Sequence, residues 1–396
     1  MKIVGIVCEY NPIHMGHILQ IEQTRKKIAE DCAVVCVMSG NFVQRGDLAV
    51  FSKHARAEAA IQCGADLVIE LPVPYALSSA EGFANAGIVL LDSLGICDFI
   101  SFGSESGDIT ALQAAADAIV SPGVDAQLRD NLSRGLSYAA ARQVAAEAVL
   151  GRGAELLKSS NNILAVEYLK ALRSTGSKMR PITITRTGAE HDSATGCSAS
   201  AIRSMLSRGE APWQFVPGSA ADIFAREIAA GRGPVFSKSC EIAMLARLRS
   251  LSSGDFAALP DASEGLDRRI MRCVASAATV SEIVEAVKTK RYAMSRIRRM
   301  LMCACLGITA QDTALPPPYI RVLAASSTGV RLLKAAKHTA ALPIITKPAV
   351  AKKLAERAKS MFLLETSATD FYVLAYQAEN ERRAGQEWSS SPRIAE

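Results

Sequence analysis

The sequence has 396 residues, of which 49% are hydrophobic and 21% charged, and its formal net charge is +6. This composition is typical of a soluble globular protein, and the length favours two or three domains. No run of about 18 uncharged apolar residues appears, which argues against a membrane span, and the first residues resemble a strand more than a signal peptide. Ten cysteines without a signal peptide indicate reduced thiols in the cytoplasm, and their spacings predict no metal site.

Strand-length apolar runs alternate with helical patterns in the first half of the chain. The predicted strands are 2–8, 33–38, 66–72, 98–103 and 181–186, and the predicted helices between them include 17–30, 52–64 and 78–95. Ser52 is the expected N-cap of the second helix, and Ser78 with Glu81 forms an expected capping box on the third. Such alternation predicts an α/β fold with a Rossmann-like, doubly wound parallel sheet, which binds ligands beyond the carboxyl ends of its strands.

The pattern changes at about residue 237, where it becomes mostly helical with Pro-rich interruptions. We therefore predict a catalytic domain over residues 1–236, a mainly α-helical domain over 237–380, and a polar, frayed tail over 381–396.

Two of the five histidines flank one glycine directly after the first predicted strand, in NPIHMGH (11–17). Gly16 lets the backbone approach a ligand closely, and the following helix N-terminus offers free N–H groups. His14 and His17, three residues apart, would project from the same first turn. They would suit a nucleoside triphosphate, in which negative charge grows at the bridging oxygen during nucleotidyl transfer. Metal ligation is a weaker interpretation because no third ligand is nearby, and an incidental histidine pair in a turn is the simplest alternative.

The usual phosphate-loop and dinucleotide fingerprints are missing from the sequence. Instead, His14-Met-Gly-His17 resembles the HIGH signature of the nucleotidylyl-transferase superfamily, which includes class I aminoacyl-tRNA synthetases. SASAIR (198–203) is similar to the Ser-x-x-Ile-Arg motif late in those folds, where Ser200 would cap a helix and Arg203 would meet phosphates. A helix cap beside a surface arginine is the alternative for this second motif.

A set of ordered blocks narrows the resemblance to one family. In chain order they are GIVCEYNPIHMGH, SGNFVQRGDLAVFSKHARAEAAIQCGADLVIELP, FGSE, SSNNILAVEYLKAL, SASAIR, KTKRYAMSRIRRML, YIRVLA and LPIITK. Together they are similar to the bacterial tRNA(Met) cytidine acetate ligase family. The resemblance implies activation of acetate by ATP to acetyl-adenylate, followed by acetylation of the exocyclic amine of the wobble cytidine in elongator tRNA(Met).

The resemblance also implies site residues, with His14 and His17 as the catalytic pair. The implied ATP-binding residues are Val7, Cys8, Glu9, Tyr10, Asn11, Pro12, Ile13, His14, Met15, Gly16, His17, Ile18, Leu19, Gln20, Gly103, Asn161, Asn162, Arg186, Thr187, Ser200 and Arg203. Which of Asn161 and Asn162 contacts ATP stays open. The stretch RTGAEHDS (186–193) departs from the family pattern because it is one residue shorter and lacks a tyrosine, which leaves any role of His191 or Asp192 open.

The loop SGNFVQRGD (39–47) follows the second predicted strand and carries Asn41, Gln44, Arg45 and Asp47. Its position suits the acid substrate or the pyrophosphate, and a solvated loop is the alternative. His54, in the next helix, is expected to be structural.

The segment KTKRYAMSRIRR (288–299) holds six Lys or Arg residues and no acid, and we call it the basic strip. Its expected tRNA-binding residues are Lys288, Lys290, Arg291, Arg296, Arg298 and Arg299. We expect the cations to face outward and Tyr292 to offer a stacking surface for RNA, with a solvated charged helix as the alternative. AMSR (293–296) is distantly similar to the KMSKS loop of synthetases but lacks its lysines.

The sequence therefore predicts a cytoplasmic, ATP-dependent, tRNA-modifying ligase with ATP, acetate and elongator tRNA(Met) as partners and no membrane association. Mg²⁺ is expected to bridge the phosphates of ATP. Two other classes stay open: a small-molecule adenylyltransferase of coenzyme synthesis, which would not need the basic strip, and a non-catalytic RNA-binding protein with a degenerate nucleotide site.

Overall fold

The computed structural model describes residues 1–136, 138–186 and 197–395. Its strands are β1 (Lys2–Cys8), β2 (Cys32–Ser39), β3 (Phe42–Val43), β4 (Asp47–Leu48), β5 (Leu67–Leu71), β6 (Phe99–Ser104), β7 (Arg180–Thr185), β8 (Ile320–Ala325), β9 (Ile344–Ile345) and β10 (Arg393–Ile394). Thr187, His191 and Asp192, for which roles are implied or left open, lie outside the described residues.

Helices make up most of the remainder. In chain order they are α1 (Met15–Ile28), α2 (Lys53–Gln62), α3 (Val73–Ala76), α4 (Ala80–Ser93), α5 (Ile109–Ile119), α6 (Pro122–Ser133), α7 (Tyr138–Leu150), α8 (Ser160–Ser174), α9 (Ala199–Ser207), α10 (Gly218–Ala229), α11 (Glu241–Arg249), α12 (Ser253–Ala257), α13 (Leu266–Ser276), α14 (Val280–Val287), α15 (Met294–Leu306), α16 (Ser327–Thr339), α17 (Glu356–Val373) and α18 (Gln386–Ser389). Within the described residues, no helix is both long and apolar enough to cross a membrane.

The predicted sheet is confirmed. Strands β5, β2, β1, β6 and β7 lie side by side in this order and pair in parallel. Every residue of β2 is buried, as expected for a central strand covered by helices on both faces. Since all five strands run in the same direction, their carboxyl ends lie along one edge, where β1 leads directly into the loop before α1.

Serine side chains cap the N-termini of α2 and α4, but the cap of α4 is one residue later than predicted. Ser52 caps α2 as expected, with its hydroxyl accepting a hydrogen bond from the backbone N–H of Ala55. The predicted capping box of Ser78 with Glu81 is wrong, because Ser79 is the N-cap of α4 and accepts from Gly82. The Ser78 hydroxyl instead donates to the carbonyl of Tyr75 in the preceding turn.

The C-terminal part of the chain adds strands to the sheet, whereas the sequence predicted a separate, mainly helical domain there. Strand β8 pairs antiparallel with β5 and parallel with both β9 and β10. All six residues of β8 are buried, and even Arg321 is 0% exposed. An apolar run of strand length, IRVLAA (320–325), was therefore hidden within a segment dominated by helical patterns. The boundaries at residues 236 and 380 remain predictions, but packing does not separate along them.

A buried ionic cluster joins the end of the chain to the sheet. The Lys53 ammonium lies 2.7 Å from a carboxylate oxygen of Glu70, 2.6 Å from one of Glu387 and 3.8 Å from one of Glu365. These side chains are at most 4% exposed. Moving Glu387 away would remove a charge partner from the buried Lys53, and an unpaired buried charge is strongly destabilising. Glu387 therefore holds α18 against the sheet, and the expectation of a frayed tail is wrong at this residue.

Candidate functional site

The first turn of α1 is capped by two histidines. His14 is the N-cap, and its Nδ1 accepts a hydrogen bond from the N–H of Gly16 at 3.1 Å. The Nδ1 of His17 in turn accepts from the N–H of His14 at 3.3 Å. The pair reproduces a capping box with imidazole nitrogens in place of the usual hydroxyl and carboxylate oxygens. A Cβ at residue 16 would lie 2.9 Å from the His14 ring, so any larger residue there would displace the ring from its capping position.

These two bonds fix the proton on each neutral ring. Because both Nδ1 atoms accept, each ring carries its proton on Nε2 and presents an N–H donor. Burial lowers the pKa of His14 to about 4, with a further contribution from the positive charge of Arg186. Burial also lowers the pKa of His17 well below its usual range, assisted by His14 and Arg186. At neutral pH the cap therefore offers two neutral donors, with ring centroids 3.9 Å apart.

A cavity of about 600 Å³ opens beside the cap at the carboxyl ends of the strands. Its walls come from the loop after β1, the 39–47 loop, α4, the end of β6, α8, α9 and α15. Its cationic lining residues are Arg45, Arg186, Arg203 and Arg298. Arginines that converge beside helix N-termini form a suitable environment for a polyphosphate.

The predicted residues divide into those that line this cavity and those that do not. The lining set is Val7, Cys8, Glu9, Tyr10, Asn11, His17, Gln20, Gly103, Asn161, Arg186 and Arg203. The predicted residues outside the lining are Pro12, Ile13, His14, Met15, Gly16, Ile18, Leu19, Asn162 and Ser200. His14 is buried and does not line the cavity, with its ring centroid 3.9 Å from that of His17, whereas Ile13 is fully buried in the core.

The two adjacent asparagines have different positions. Asn162 is 3% exposed, and its Oδ1 accepts from the backbone N–H groups of Glu105 and Ser106, which fixes the loop after β6. Asn161 lines the cavity, and its Nδ2 donates to the Glu105 carboxylate at 2.7 Å. Of the two, only Asn161 is placed at the cavity surface.

The SASAIR motif is arranged differently from the prediction. Ser198, rather than Ser200, caps α9 by accepting from the N–H of Ala201. Ser200 accepts instead from the guanidinium of Arg203, which also donates to the carbonyl of Asn11 at 2.7 Å. These contacts hold the arginine against the loop after β1.

The 39–47 loop contributes a second wall. Gln44 and Arg45 line the cavity, and the N–H of Gln44 donates to the Glu9 carboxylate at 2.7 Å. Burial raises the pKa of Glu9, although this hydrogen bond and the nearby arginines oppose the shift. Asn41 is structural, since its Oδ1 accepts from the N–H of Lys53 in the interior.

The helical segment reaches the same cavity. Met294, Ser295 and Arg298 at the start of α15 form part of its wall, and Met294 with Arg298 also borders a neighbouring cavity of about 420 Å³. Met294 and Ser295 belong to the AMSR stretch, a resemblance too weak in the sequence to assign them to the site. Phe83, Phe102 and Tyr168 were missed as well, because apolar residues on a helix or strand have the same pattern in a core.

The basic strip is only partly outward-facing. Arg291 and Arg296 pair with Glu264 at 3.4 and 3.1 Å. Arg299 is buried beside Asp261 at 3.3 Å. In contrast, Lys288, Lys290 and Arg298 are exposed and form no ion pair within the part of the chain that the structure describes.

The expectation of an exposed stacking surface at Tyr292 is wrong. Its ring is 8% exposed, and its hydroxyl donates to the backbone carbonyl of Glu264 at 2.7 Å. Glu264 therefore holds Tyr292 and Arg296 inward, whereas Arg291 stays exposed although it pairs with the same carboxylate. A partner more than 20 residues earlier in the chain thus decides in part which groups face solvent.

This arrangement places a histidine-capped helix after the first strand of a doubly wound sheet, with arginines around the cavity, and it defines a nucleotidyl transferase. In agreement, the family model described as HIGH Nucleotidyl Transferase matches residues 1–387. A more specific relationship follows from individual proteins. The chain is 38% identical to the tRNA(Met) cytidine acetate ligase of Acetivibrio thermocellus, with 99% of each chain covered. It is 40% identical to that of Caldanaerobacter subterraneus subsp. tengcongensis, covering 95% of this chain and 96% of the relative.

Solved structures agree over the whole chain. Thermotoga maritima TmcAL bound with alpha-thio ATP is 32% identical and superposes with a TM-score of 0.92, covering 100% of this chain and 99% of that one. The apo form of the same protein gives a TM-score of 0.94. The chain therefore belongs to the tRNA(Met) cytidine acetate ligase family, as the ordered sequence blocks predicted.

Proposed function

We propose that this chain is a ligase that uses ATP to activate acetate as acetyl-adenylate and then acetylates the wobble cytidine of elongator tRNA(Met). The observation that carries the proposal is the histidine cap beside an arginine-lined cavity, in a chain whose full-length relatives are ligases of this name. We expect the reaction to occur in the cytoplasm, where ATP and tRNA are available.

In the first step an acetate oxygen bonds to the α-phosphorus of ATP while the bond to the bridging oxygen of pyrophosphate breaks. His17 lines the cavity, and its Nε2–H is positioned to donate to a phosphate oxygen as charge develops there. Arg186, directly after β7, and Arg203 of α9 supply positive charge. His14 acts as a positioning residue, since its backbone and ring hold the His17 ring in place.

In the second step the N4 amine of cytidine attacks the acetyl carbonyl carbon. The bond from that carbon to the AMP oxygen breaks, AMP leaves, and the amine loses a proton. An acyl-adenylate is an activated ester, so no strong general base is required. The base must leave its stack to reach the cavity, whose lining includes Arg298 of the basic strip.

The exposed cations Lys288, Lys290 and Arg298 are the part of the basic strip best placed to bind tRNA phosphates. Arg298 lines the catalytic cavity as well, so it joins the RNA surface to the nucleotide site. We assign Arg296 and Arg299 a mainly structural role because each is largely buried and paired with Glu264 or Asp261. Arg291 is exposed, and its surface pair with Glu264 leaves it able to contact phosphates.

Mg²⁺ enters this proposal only as an ion carried by ATP. Among the described residues, no group of three or more His, Cys, Asp or Glu side chains is placed to hold a metal. Glu9 is the carboxylate among the residues that line the cavity, and it already accepts from Gln44. A triphosphate can hold Mg²⁺ with few protein ligands, and no step here depends on a protein-bound ion.

The test is ATP–pyrophosphate exchange with and without acetate, followed by mass analysis of tRNA(Met) after incubation with all substrates. We expect exchange that requires acetate and does not require tRNA, and an acetyl group on the wobble cytidine. A transcript with uridine at that position is the matched control. Exchange that is independent of acetate would contradict the ligase assignment and favour a different adenylyltransferase.

A further inference from the structure

A buried hydroxyl without a partner lies in the wall of the catalytic cavity. Tyr168 of α8 lines this cavity and is only 2% exposed. Its Oη forms no hydrogen bond to any residue that the structure describes. A buried hydroxyl that stays unpaired destabilises a fold, so the position calls for a ligand group that pairs with it.

The cavity wall around this hydroxyl is mostly apolar, with one acidic side chain near it. The Phe102 ring centroid lies 5.6 Å from that of Tyr168, and Val7, Phe83 and Leu164 line the same cavity. Burial raises the pKa of Tyr168, and the nearby Cys8 and Glu9 raise it further, so the hydroxyl stays protonated and can donate. The phenol of Tyr10, which lines the same cavity, is already engaged, because its hydroxyl lies 3.6 Å from the sulfur of Cys36. One donor in a mostly apolar wall suits a small molecule with one polar end and one alkyl end.

We propose that Tyr168 is a specificity-determining residue whose hydroxyl donates a hydrogen bond to the carboxylate of the acid substrate, while the alkyl group of the acid packs against Phe83 and Phe102. This inference rests on the proposed function. The nucleotide is a poorer occupant of this wall, because the several ring and amino nitrogens of adenine would find a single partner here. Its phosphates are matched instead by His17 and the arginines.

The same wall accounts for a preference for a short acid. Leu164 lies one helical turn before Tyr168 on α8, is half-buried and lines the same cavity, so the proposal puts it next to the methyl group of the acid. Each further methylene would have to displace this side chain or one of the two phenylalanines. Selectivity for acetate then arises by exclusion, with a hydrophobic pocket typically separating homologues by about 10- to 200-fold.

The test compares Tyr168→Phe with Tyr319→Phe in acetate-dependent ATP–pyrophosphate exchange. Tyr319 is a matched control because it is 1% exposed and its hydroxyl also has no partner within the described residues, yet it does not line the cavity. For Tyr168→Phe we expect the KM for acetate to rise about 10- to 100-fold, as for a hydrogen bond to a charged group. The KM for ATP should stay unchanged, and Tyr319→Phe should leave both KM values unchanged. Neither substitution should lower the Tm, because each removes a buried hydroxyl that has no partner within the described residues.

Two results would overturn the inference while leaving the proposed function intact. One is a normal KM for acetate in Tyr168→Phe, and the other is a raised KM for ATP instead. If the wild-type enzyme itself shows no acetate-dependent exchange, the proposed function fails first and this inference fails with it. As a second arm, Leu164→Ala should raise the rate with propionate relative to acetate by about 10-fold. An unchanged ratio would place the alkyl group elsewhere.

Discussion

The histidine cap and the basic strip were both predicted from short stretches of sequence, but the cap is held by local contacts and the strip by contacts with distant residues. The cap is built from residues three apart, and its hydrogen bonds run between His14, Gly16 and His17 themselves. In the basic strip, three of the six cations pair with Asp261 or Glu264, which lie more than 20 residues away. A local motif carries its own geometry, whereas a charge run acquires its role from distant partners.

The basic strip meets another wall of the same cavity, the 39–47 loop, at one glycine. Gly46, between β3 and β4, has a φ of +76°, and a Cβ there would overlap the backbone of Arg298 and Arg299 in α15. Through this contact the N-terminal loop that carries Gln44 and Arg45 packs directly on α15. The cavity wall therefore depends on a junction between regions that the sequence placed in separate domains.

The largest effect is expected at the cap. His17→Ala should reduce acetate-dependent ATP–pyrophosphate exchange by at least about 100-fold, because it removes an N–H donor directed at the site of developing charge. His14→Asn should have a smaller effect on stability than on activity, since asparagine can still cap α1 while the ring that supports His17 is lost. Exchange rates of the purified variants measure the activities, and chemical denaturation measures the stability of His14→Asn.

His338→Ala is the control for loss of a histidine, because His338 is exposed near the end of α16, away from the cavity lining. It should exchange at the wild-type rate. If His17→Ala remains folded and keeps near-normal exchange, the cap has no catalytic role and serves only to begin α1.

The next effect tests the junction. Gly46→Ala should lower the free energy of unfolding by about 2–4 kcal/mol, because a strained left-handed backbone and an overlap with α15 add together. Gly209→Ala isolates the backbone contribution, since its φ is +77° with nothing within 4 Å of the new Cβ, and it should cost only about 1–2 kcal/mol. Chemical denaturation measures both free energies of unfolding. Equal losses in the two variants would show that α15 moves away from the new Cβ at residue 46 without strain.

The contrast between cap and strip also explains what the sequence could predict. The five parallel strands and the HIGH-type loop follow from local periodicity and a short motif, and they are confirmed. The inward turn of Tyr292 and the insertion of β8 beside β5 depend on partners far along the chain. Tyr168 and Phe102 could not be assigned to the site because a cavity wall and a core use the same apolar residues.

A moderate effect is expected from the exposed part of the basic strip. Replacing Lys288 and Lys290 with alanine should remove up to two phosphate contacts and flatten the log–log salt dependence of tRNA affinity by up to about 1.4–1.8. Filter binding at several salt concentrations measures the slope, and exchange without tRNA should be unchanged. Arg296→Ala is the matched comparison, because its guanidinium is held by Glu264, Ser263 and the carbonyl of Asp261.

For Arg296→Ala we expect lower stability with a nearly unchanged salt slope. An equal loss of slope in the two variants would mean that the arginine leaves its partners to bind tRNA, which would remove the distinction drawn between exposed and paired cations.

The smallest expected effect concerns the protonation of His14 in the histidine cap. His14 has a pKa of about 4 in the folded protein, against about 6.5 when unfolded, so the unfolded chain binds more protons between these values. The free energy of unfolding should therefore fall as the pH falls below 6.5, and His14 should contribute about 1 kcal/mol per pH unit near pH 6. His14→Asn should lower this slope by that amount.

In the wild-type protein, ¹⁵N NMR should show His14 neutral from pH 8 to about 5 with the proton on Nε2, because Nδ1 accepts from Gly16. Titration near pH 6.5, or a proton on Nδ1, would show that the cap is not the pair of neutral donors on which the comparison with the basic strip depends.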